Sequence, residues 1–346
     1  MSSFLLFGIA AVAFAVAAVL TRRFLAPDSV FHILDQPTNR SLHSQPVPRT
    51  GGVALLVGFL AASLAAYAIF GLSTTALWIT AIGCLLGMVS FIEDRFGLAR
   101  RYRLAAHLLA ALALLPAGLV PTQILVPGAV LPLPMIAIQF AVLLGTVWMI
   151  NLYNFMDGMD GFAGGMAVFG FGALGVAGWL HGSAEFALIN FILAASAAGF
   201  LLFNFPAPKA RIFMGDAGST ALGFFAAACV LWAEREGILP LWAGLLVFSP
   251  FIVDASVTLA RRLWRREKIW LPHKTHYYQR FVQLGWGHRK TVLRGYLLML
   301  VCAGAALQGA RSSGRDDGLW LLAMCGALYG LIAFKVHLLE RMTGRN

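Results

Sequence analysis

The chain has 346 residues, of which 60% are hydrophobic and only 12% charged, and its mean hydropathy is +0.79. That balance excludes an ordinary soluble globular protein, in which about a quarter of residues are charged, and points to an integral membrane protein. The formal net charge of +11 invites a nucleic-acid reading, but the basic residues fall in short bursts between apolar runs, so no nucleic-acid partner is expected.

Allowing about 20 apolar residues per crossing, the predicted fold is an all-α, polytopic bundle of ten to eleven transmembrane helices forming a single domain over 1–346. The predicted spans lie near 3–20, 52–70, 75–92, 104–120, 133–150, 162–180, 186–204, 218–233, 238–258, 291–310 and 318–338. No basic residue precedes the first apolar run, and Arg22 and Arg23 follow it, so it reads as an uncleaved span with the N-terminus outside rather than a signal peptide. The cytoplasmic segments are then 21–51, 93–103, 151–161, 205–217, 259–290 and the C-terminal tail. Of the 26 Lys and Arg residues only Arg235, Arg311 and Arg315 fall outside, the asymmetry of cytoplasmic loops beside anionic lipid. Segment 121–132, rich in proline, reads as a turn or a shallow re-entrant hairpin. Cys84, Cys229, Cys302 and Cys325 all sit in apolar runs and read as packing residues.

In chain order, the first cytoplasmic segment carries DQPTNRSLHSQPVPRTGG, with Arg40, His43 and Arg49 set among prolines 37, 46 and 48. Basic groups at the mouth of a membrane cavity suit a phosphorylated ligand, whereas Arg22 and Arg23 read as ordinary cytoplasmic retention. Glu93 and Asp94 close the third span. Adjacent carboxylates there either hold a divalent cation or share a proton, and one of them is also able to pair with Arg95, Arg100, Arg101 or Arg103.

The stretch NLYNFMDGMDG, Asn151 to Gly161, puts Asp157 and Asp160 directly after a membrane-length apolar run. Carboxylates are costly at that depth and normally face a partner, a cavity or a metal. FMGDAGSTALGF, residues 213–224, sets Asp216 in a glycine turn before another apolar helix. There it is placed to hold Mg²⁺ beside phosphate or, more plainly, to cap the helix. Asp254, inside the ninth span, pairs with an arginine of the following loop or faces the cavity. In PHKTHYYQRFVQLGWGHRKT, residues 272–291, His273, His276 and Arg280 suit phosphate recognition better than zinc, since no cysteine stands near. One face thus gathers carboxylates, a basic collar and glycine turns, which predicts Mg²⁺-assisted chemistry on a phosphorylated substrate, one reactant soluble and the other in the lipid.

The ordered set D-x-P-x-x-R-x-x-H-x-x-P-x-P-R-x-G-G at 35–52, the acidic pair at 93–94, N-x-x-D-G-x-D-G at 154–161, F-M-G-D-x-G-S at 213–219 and H-x-x-H-x-x-x-R at 273–280 resembles the polyprenyl-phosphate N-acetylhexosamine-1-phosphate transferases over nearly the whole chain. The 273–280 stretch looks closest to the branch that initiates O-antigen or related surface polysaccharides, the lipopolysaccharide-forming side of the family, rather than cell-wall muramoyl-pentapeptide transfer. The resemblance implies a bacterial inner-membrane enzyme that moves a HexNAc-1-phosphate from a UDP-N-acetylhexosamine to undecaprenyl phosphate and releases UMP, with Mg²⁺ or Mn²⁺. It makes Asp216 the main metal ligand, with Glu93 and Asp94 as the acidic pair beside the metal and the acceptor phosphate. Asn154, Asp157, Asp160, Asn204 and Phe213 would shape the nucleotide pocket, and His273, His276 and Arg280 would contact the diphosphate or sugar. The family's usual Asp-Asp pair is Glu-Asp here, which favours direct attack by the acceptor phosphate over a covalent aspartyl intermediate. A transporter or flippase for a phosphorylated, lipid-linked substrate is the competing class; it would place ionisable groups near the bilayer midplane, whereas Asp254 is the one acidic residue well inside a span and the others cluster at one interface. The sugar and the choice between monomer and homodimer are not readable.

Overall fold

The computed structural model describes residues 3–36, 45–97, 99–205, 208–269, 271, 273–311 and 315–344. Its helices are α1 (Ser3–Phe24), α2 (Gly51–Phe70), α3 (Thr74–Phe96), α4 (Arg100–Leu112), α5 (Met135–Met156), α6 (Phe162–His181), α7 (Ala184–Asn204), α8 (Gly215–Arg235), α9 (Leu241–Val247), α10 (Ser249–Trp264), α11 (Tyr277–Phe281), α12 (His288–Arg311) and α13 (Arg315–Met342). Two small antiparallel pairs complete it, β1 (Leu34–Asp35) with β2 (Val47–Pro48), and β3 (Ile124–Val126) with β4 (Ala129–Leu131). The all-α membrane architecture expected from composition is the one observed.

Among the described residues, nine helices are long and apolar enough to cross a membrane, and α9 with α10 make a tenth as a pair bent by 84°. The bend falls where Phe248 leaves helical geometry and Pro250 opens the next helix, a residue tolerated in a first turn but not in a helix interior. The expected span at 104–120 is corrected: α4 stops at Leu112, leaving 13 helical residues, a length of about 20 Å. The segment still runs the length of the bundle, because Ala117 just beyond it accepts a hydrogen bond from Arg235 at the far end of α8. The proline-rich 121–132 segment carries the β3–β4 hairpin.

The bundle is built around α8, in which every residue from Ala217 to Ala233 is buried. Such all-round burial needs small residues where neighbours cross. At the start of α8 the backbone of Gly218 lies so close to Gly52 of α2 that a Cβ on either would collide with the other. The same crossing aligns backbones: Phe213 N–H donates to Pro48 C=O (2.7 Å), Gly51 N–H to Phe213 C=O (3.0 Å) and Gly52 N–H to Met214 C=O (2.8 Å). The loop after α1 is thereby stitched onto the FMGD turn. At the opposite end Ser73 N–H donates to Glu185 at 2.5 Å, so the bundle has two chemically distinct ends, and the polar motifs gather at only one.

Candidate active site

At that end a cavity of about 940 Å³ is lined by Asp35, Arg49, Glu93, Asp94, Arg103, Asn154, Asp157, Asp160, Asp216 and the His273–Gln279 arm, among others. Its acidic floor is assembled from the last turn of α3 and the first turn of α8. Asp216 N–H donates to Asp94 Oδ2 at 2.9 Å, the other Asp94 oxygen lies 3.5 Å from the Arg49 guanidinium, and Arg49 also donates to the Asp94 carbonyl at 2.8 Å. Gly215 makes this approach possible: its φ is +75°, the left-handed region, and a Cβ there would strike the Arg49 carbonyl.

The Asp216 carboxylate accepts from Asn154 Nδ2 (2.8 Å) and faces Arg103 (3.3 Å), which also lies 3.4 Å from Glu93. Asn154 donates again to Ser219 Oγ at 2.9 Å, locking its amide across the start of α8. Glu93, Asp94, Asn154 and Asp216 are therefore brought together as the motifs suggested. Asp216 does not cap α8: its side chain points to Asn154 and Arg103, not to its own helix.

Asp157 ends α5 and its side chain makes no hydrogen bond or ion pair among the described residues. Burial, with the charges of Asp216 and Asp94 added to it, pushes its carboxyl well above the usual range. Asp160, three residues on, behaves oppositely. Burial alone would raise it, but the His288 ring (3.5 Å) and the Ala210 N–H (3.0 Å) outweigh that and hold it below the ordinary carboxylate value. Asn204 is buried and bridges two loops, accepting from Gly161 N–H and donating to the Ile212 carbonyl, both at 2.9 Å. It lines the cavity wall beside Phe213 with its amide already engaged.

The His273–Gln279 arm is anchored by Asp254, the acid that sequence left unplaced. Its carboxylate accepts from Tyr277 N–H (2.9 Å) and Tyr278 N–H (3.0 Å) and lies 3.2 Å from His276 Nδ1. Asp254 thus holds the start of α11, and neither of its two expected roles, arginine partner or cavity wall, is the one it takes. His273 and His276 both line the cavity, their rings 4.9 Å apart. Burial, reinforced by the neighbouring His276, lowers His273 to about 4.

Arg280 requires a correction. Its guanidinium points away from the cavity, paired with Glu340 of α13 (Nε to Oε1, 2.6 Å) and stacked over Tyr277. Arg40 and His43 lie outside the described residues. Arg49 occupies the expected basic collar.

One wall goes beyond the sequence expectations, which name Arg103 only as a partner for Glu93 or Asp94, a pairing it does make with Glu93. Arg103 and His107 stand one turn apart on α4, and Asn151 stands one turn before Asn154 on α5; all line the cavity. Asn151 Nδ2 lies 3.3 Å from His107 Nδ1, which puts the ring proton on Nε2, a buried atom with no partner. Polar residues recurring at helical spacing inside an apolar run were the available signal. Beside them Leu104, Trp148, Phe155 and Leu259 give the same wall an apolar part.

Among the described residues no three His, Cys, Asp or Glu side chains form a ready metal cage. Mg²⁺, however, commonly takes one or two carboxylates and completes its shell with water and substrate phosphate. Asp216 and Asp94, tied together through the Asp216 N–H with the unpartnered Asp157 close by, fit that donor set.

The family model for glycosyl transferase family 4 matches residues 75–234. Over 310 residues the chain is 32% identical to a decaprenyl-phosphate N-acetylglucosaminephosphotransferase of Mycolicibacterium smegmatis, covering 80% of this chain and 75% of that protein. A probable undecaprenyl-phosphate N-acetylglucosaminyl 1-phosphate transferase of Bacillus subtilis is 29% identical, with 79% and 76% covered. A phospho-N-acetylmuramoyl-pentapeptide-transferase of Shouchella clausii is 28% identical, with 74% and 81% covered. With likeness of that extent, the chain belongs to the polyprenyl-phosphate N-acetylhexosamine-1-phosphate transferase family.

Proposed function

We propose that the chain transfers a HexNAc-1-phosphate from a UDP-N-acetylhexosamine to undecaprenyl phosphate, releasing UMP and forming the first lipid-linked intermediate of a cell-surface polysaccharide. The observation that carries this reading is the pairing of Asp94 with Asp216 in a cavity whose lining sets the apolar side chains of Leu104, Trp148 and Phe155 beside its charged and polar groups. A soluble diphosphate and a lipid phosphate call for both kinds of side chain in one chamber. The relatives' names, which specify polyprenyl phosphates and N-acetylglucosamine phosphate transfer, support the same substrates.

An oxygen of the acceptor phosphate attacks the sugar-bearing phosphorus of the donor, the bond from that phosphorus to the bridging oxygen breaks, and UMP leaves with the electron pair. Asp216 and Asp94 would hold Mg²⁺, or Mn²⁺ in its place, which supplies charge neutralisation on the diphosphate. Arg49 and Arg103 offset the negative charge that the carboxylates and phosphates accumulate. The distribution of Lys and Arg supports a bacterial inner-membrane protein with its N-terminus outside and this cavity facing the cytoplasm. The flippase reading loses its one supporting residue, since Asp254 is consumed by the α11 backbone.

Purified protein mixed with Mg²⁺, undecaprenyl phosphate and, separately, UDP-GlcNAc and UDP-linked 6-deoxy-HexNAc sugars tests the proposal. It expects stoichiometric UMP and lipid-linked sugar phosphate with at least one donor. Failure to form UMP with every donor would overturn it.

A further inference from the structure

Where α12 begins and α13 ends, one indole gathers three cations. Trp286 closes the turn before α12, packed on Phe281 with ring centroids 4.5 Å apart. Lys290 Nζ and Lys335 Nζ each lie 5.1 Å from the Trp286 ring centroid, and the Arg294 guanidinium carbon lies 3.9 Å from it. Lys290 and Arg294 stand one turn apart on α12 and Lys335 comes from α13; all three side chains are exposed. Among the described residues no carboxylate pairs with them. The acids that neighbouring elements bring to this end, Asp160 and Glu340, are taken by His288 and Arg280.

Three like charges around a single ring repel one another within a Debye length of about 8 Å. Attraction to the indole face offsets part of that, and an anion among them would complete the arrangement. The surroundings say which kind of anion. Both helices are long and apolar enough to cross a membrane, and toward mid-helix the faces bearing the cations continue into Leu297 and Leu331, which are 63% and 65% exposed. Tryptophan at the headgroup level, cations around it and bare hydrocarbon below it reproduce the profile of a lipid molecule rather than that of a soluble ion.

We propose that Trp286, Lys290, Arg294 and Lys335 bind the phosphodiester headgroup of an anionic membrane phospholipid, whose acyl chains lie along Leu297 and Leu331. Trp286 and Lys290 also border a second cavity of about 710 Å³ that shares Asp160, Phe213 and His288 with the main one, so a lipid here braces one wall of the substrate chamber. The proposal does not depend on which sugar is transferred.

The test titrates purified full-length protein in neutral detergent with phosphatidylglycerol or phosphatidylethanolamine and counts bound lipid by native mass spectrometry. The Arg294→Gln/Lys335→Gln double variant should bind phosphatidylglycerol about five- to thirtyfold more weakly than wild type, with phosphatidylethanolamine binding weakly and equally to both. The charge-preserving pair Arg294→Lys/Lys335→Arg should retain phosphatidylglycerol, and millimolar inorganic phosphate should not displace it. Equal phosphatidylglycerol binding by wild type and the Gln variant, equal affinity of wild type for the two lipids, or displacement by inorganic phosphate would each overturn the proposal.

Discussion

The backbone N–H of Asp216 donates to Asp94 Oδ2 across 2.9 Å, joining the end of α3 to the start of α8 at the point where two carboxylates meet. Electrostatics alone would drive those acids apart. The hydrogen bond, together with Arg49 on Asp94 and Arg103 on Asp216, holds them together. The chamber is therefore charged by design of its backbone, and the consequences can be measured one residue at a time.

Asp254 positions the His273–Gln279 arm through two backbone N–H groups and His276. Charge-assisted hydrogen bonds contribute roughly 1.5–3 kcal/mol each, so Asp254→Ala should lower kcat/KM by about 10- to 100-fold, mainly through a raised donor KM. Asp254→Asn, which keeps one acceptor oxygen, should fall between. Steady-state kinetics with varied UDP-sugar checks this, and unchanged KM in both variants would detach the arm from donor binding.

Arg280 and Glu340 should behave as one unit. Removing either partner of this partly buried pair should cost about 1–3 kcal/mol of stability, and the double alanine variant should cost little more than one single change. Thermal melts of the four proteins give the coupling, expected within about 0.5–3 kcal/mol. A direct donor contact by Arg280 would instead raise KM in the Arg280→Ala variant alone.

His273 gives a pH dependence with a definite sign. Its folded-state value is lowered to about 4, against about 6.5 in an unfolded chain, so between those values the unfolded state binds the proton and the folded state does not. Stability must then fall as pH drops through that window. Wild type should lose more melting temperature from pH 7 to pH 5 than His273→Asn does; parallel losses would place the ring in a more solvated setting.

The orientation is checked by single cysteines at Thr275 and Gly182, on a background with the part-buried Cys84 replaced. Gly182 ends α6 at the end of the bundle away from the cavity. A membrane-impermeant thiol reagent added to intact cells should label position 182 and spare 275. The reverse pattern would turn the cavity outward.

What the sequence made legible was local. Membrane-length apolar runs are continuous in the chain, and acids next to glycines at their ends stand out because hydrocarbon tolerates them poorly. That is why Glu93, Asp94, Asp157 and Asp216 are legible in the sequence. What it hid was pairing across distance. Nothing near Arg280 announces Glu340, 60 positions later, and Asp254 looked like a charge stranded in a span because its partners are backbone N–H groups of another segment. His107 is masked by α4, where a short helix and a following turn cross the bundle in place of a full span. Hydropathy reads that segment as hydrocarbon and not as a cavity wall.

The measurement that bears most directly on the chamber is turnover of Asp216→Asn. The amide keeps the size of the side chain and an oxygen for Asn154 but removes the charge that faces Arg103 and would share a hard cation with the donor diphosphate. UMP release should fall by at least about two orders of magnitude, with a melting temperature close to wild type and partial recovery at raised Mg²⁺ or Mn²⁺. Near-normal UMP release at limiting Mg²⁺ by a normally folded Asp216→Asn protein would contradict the account.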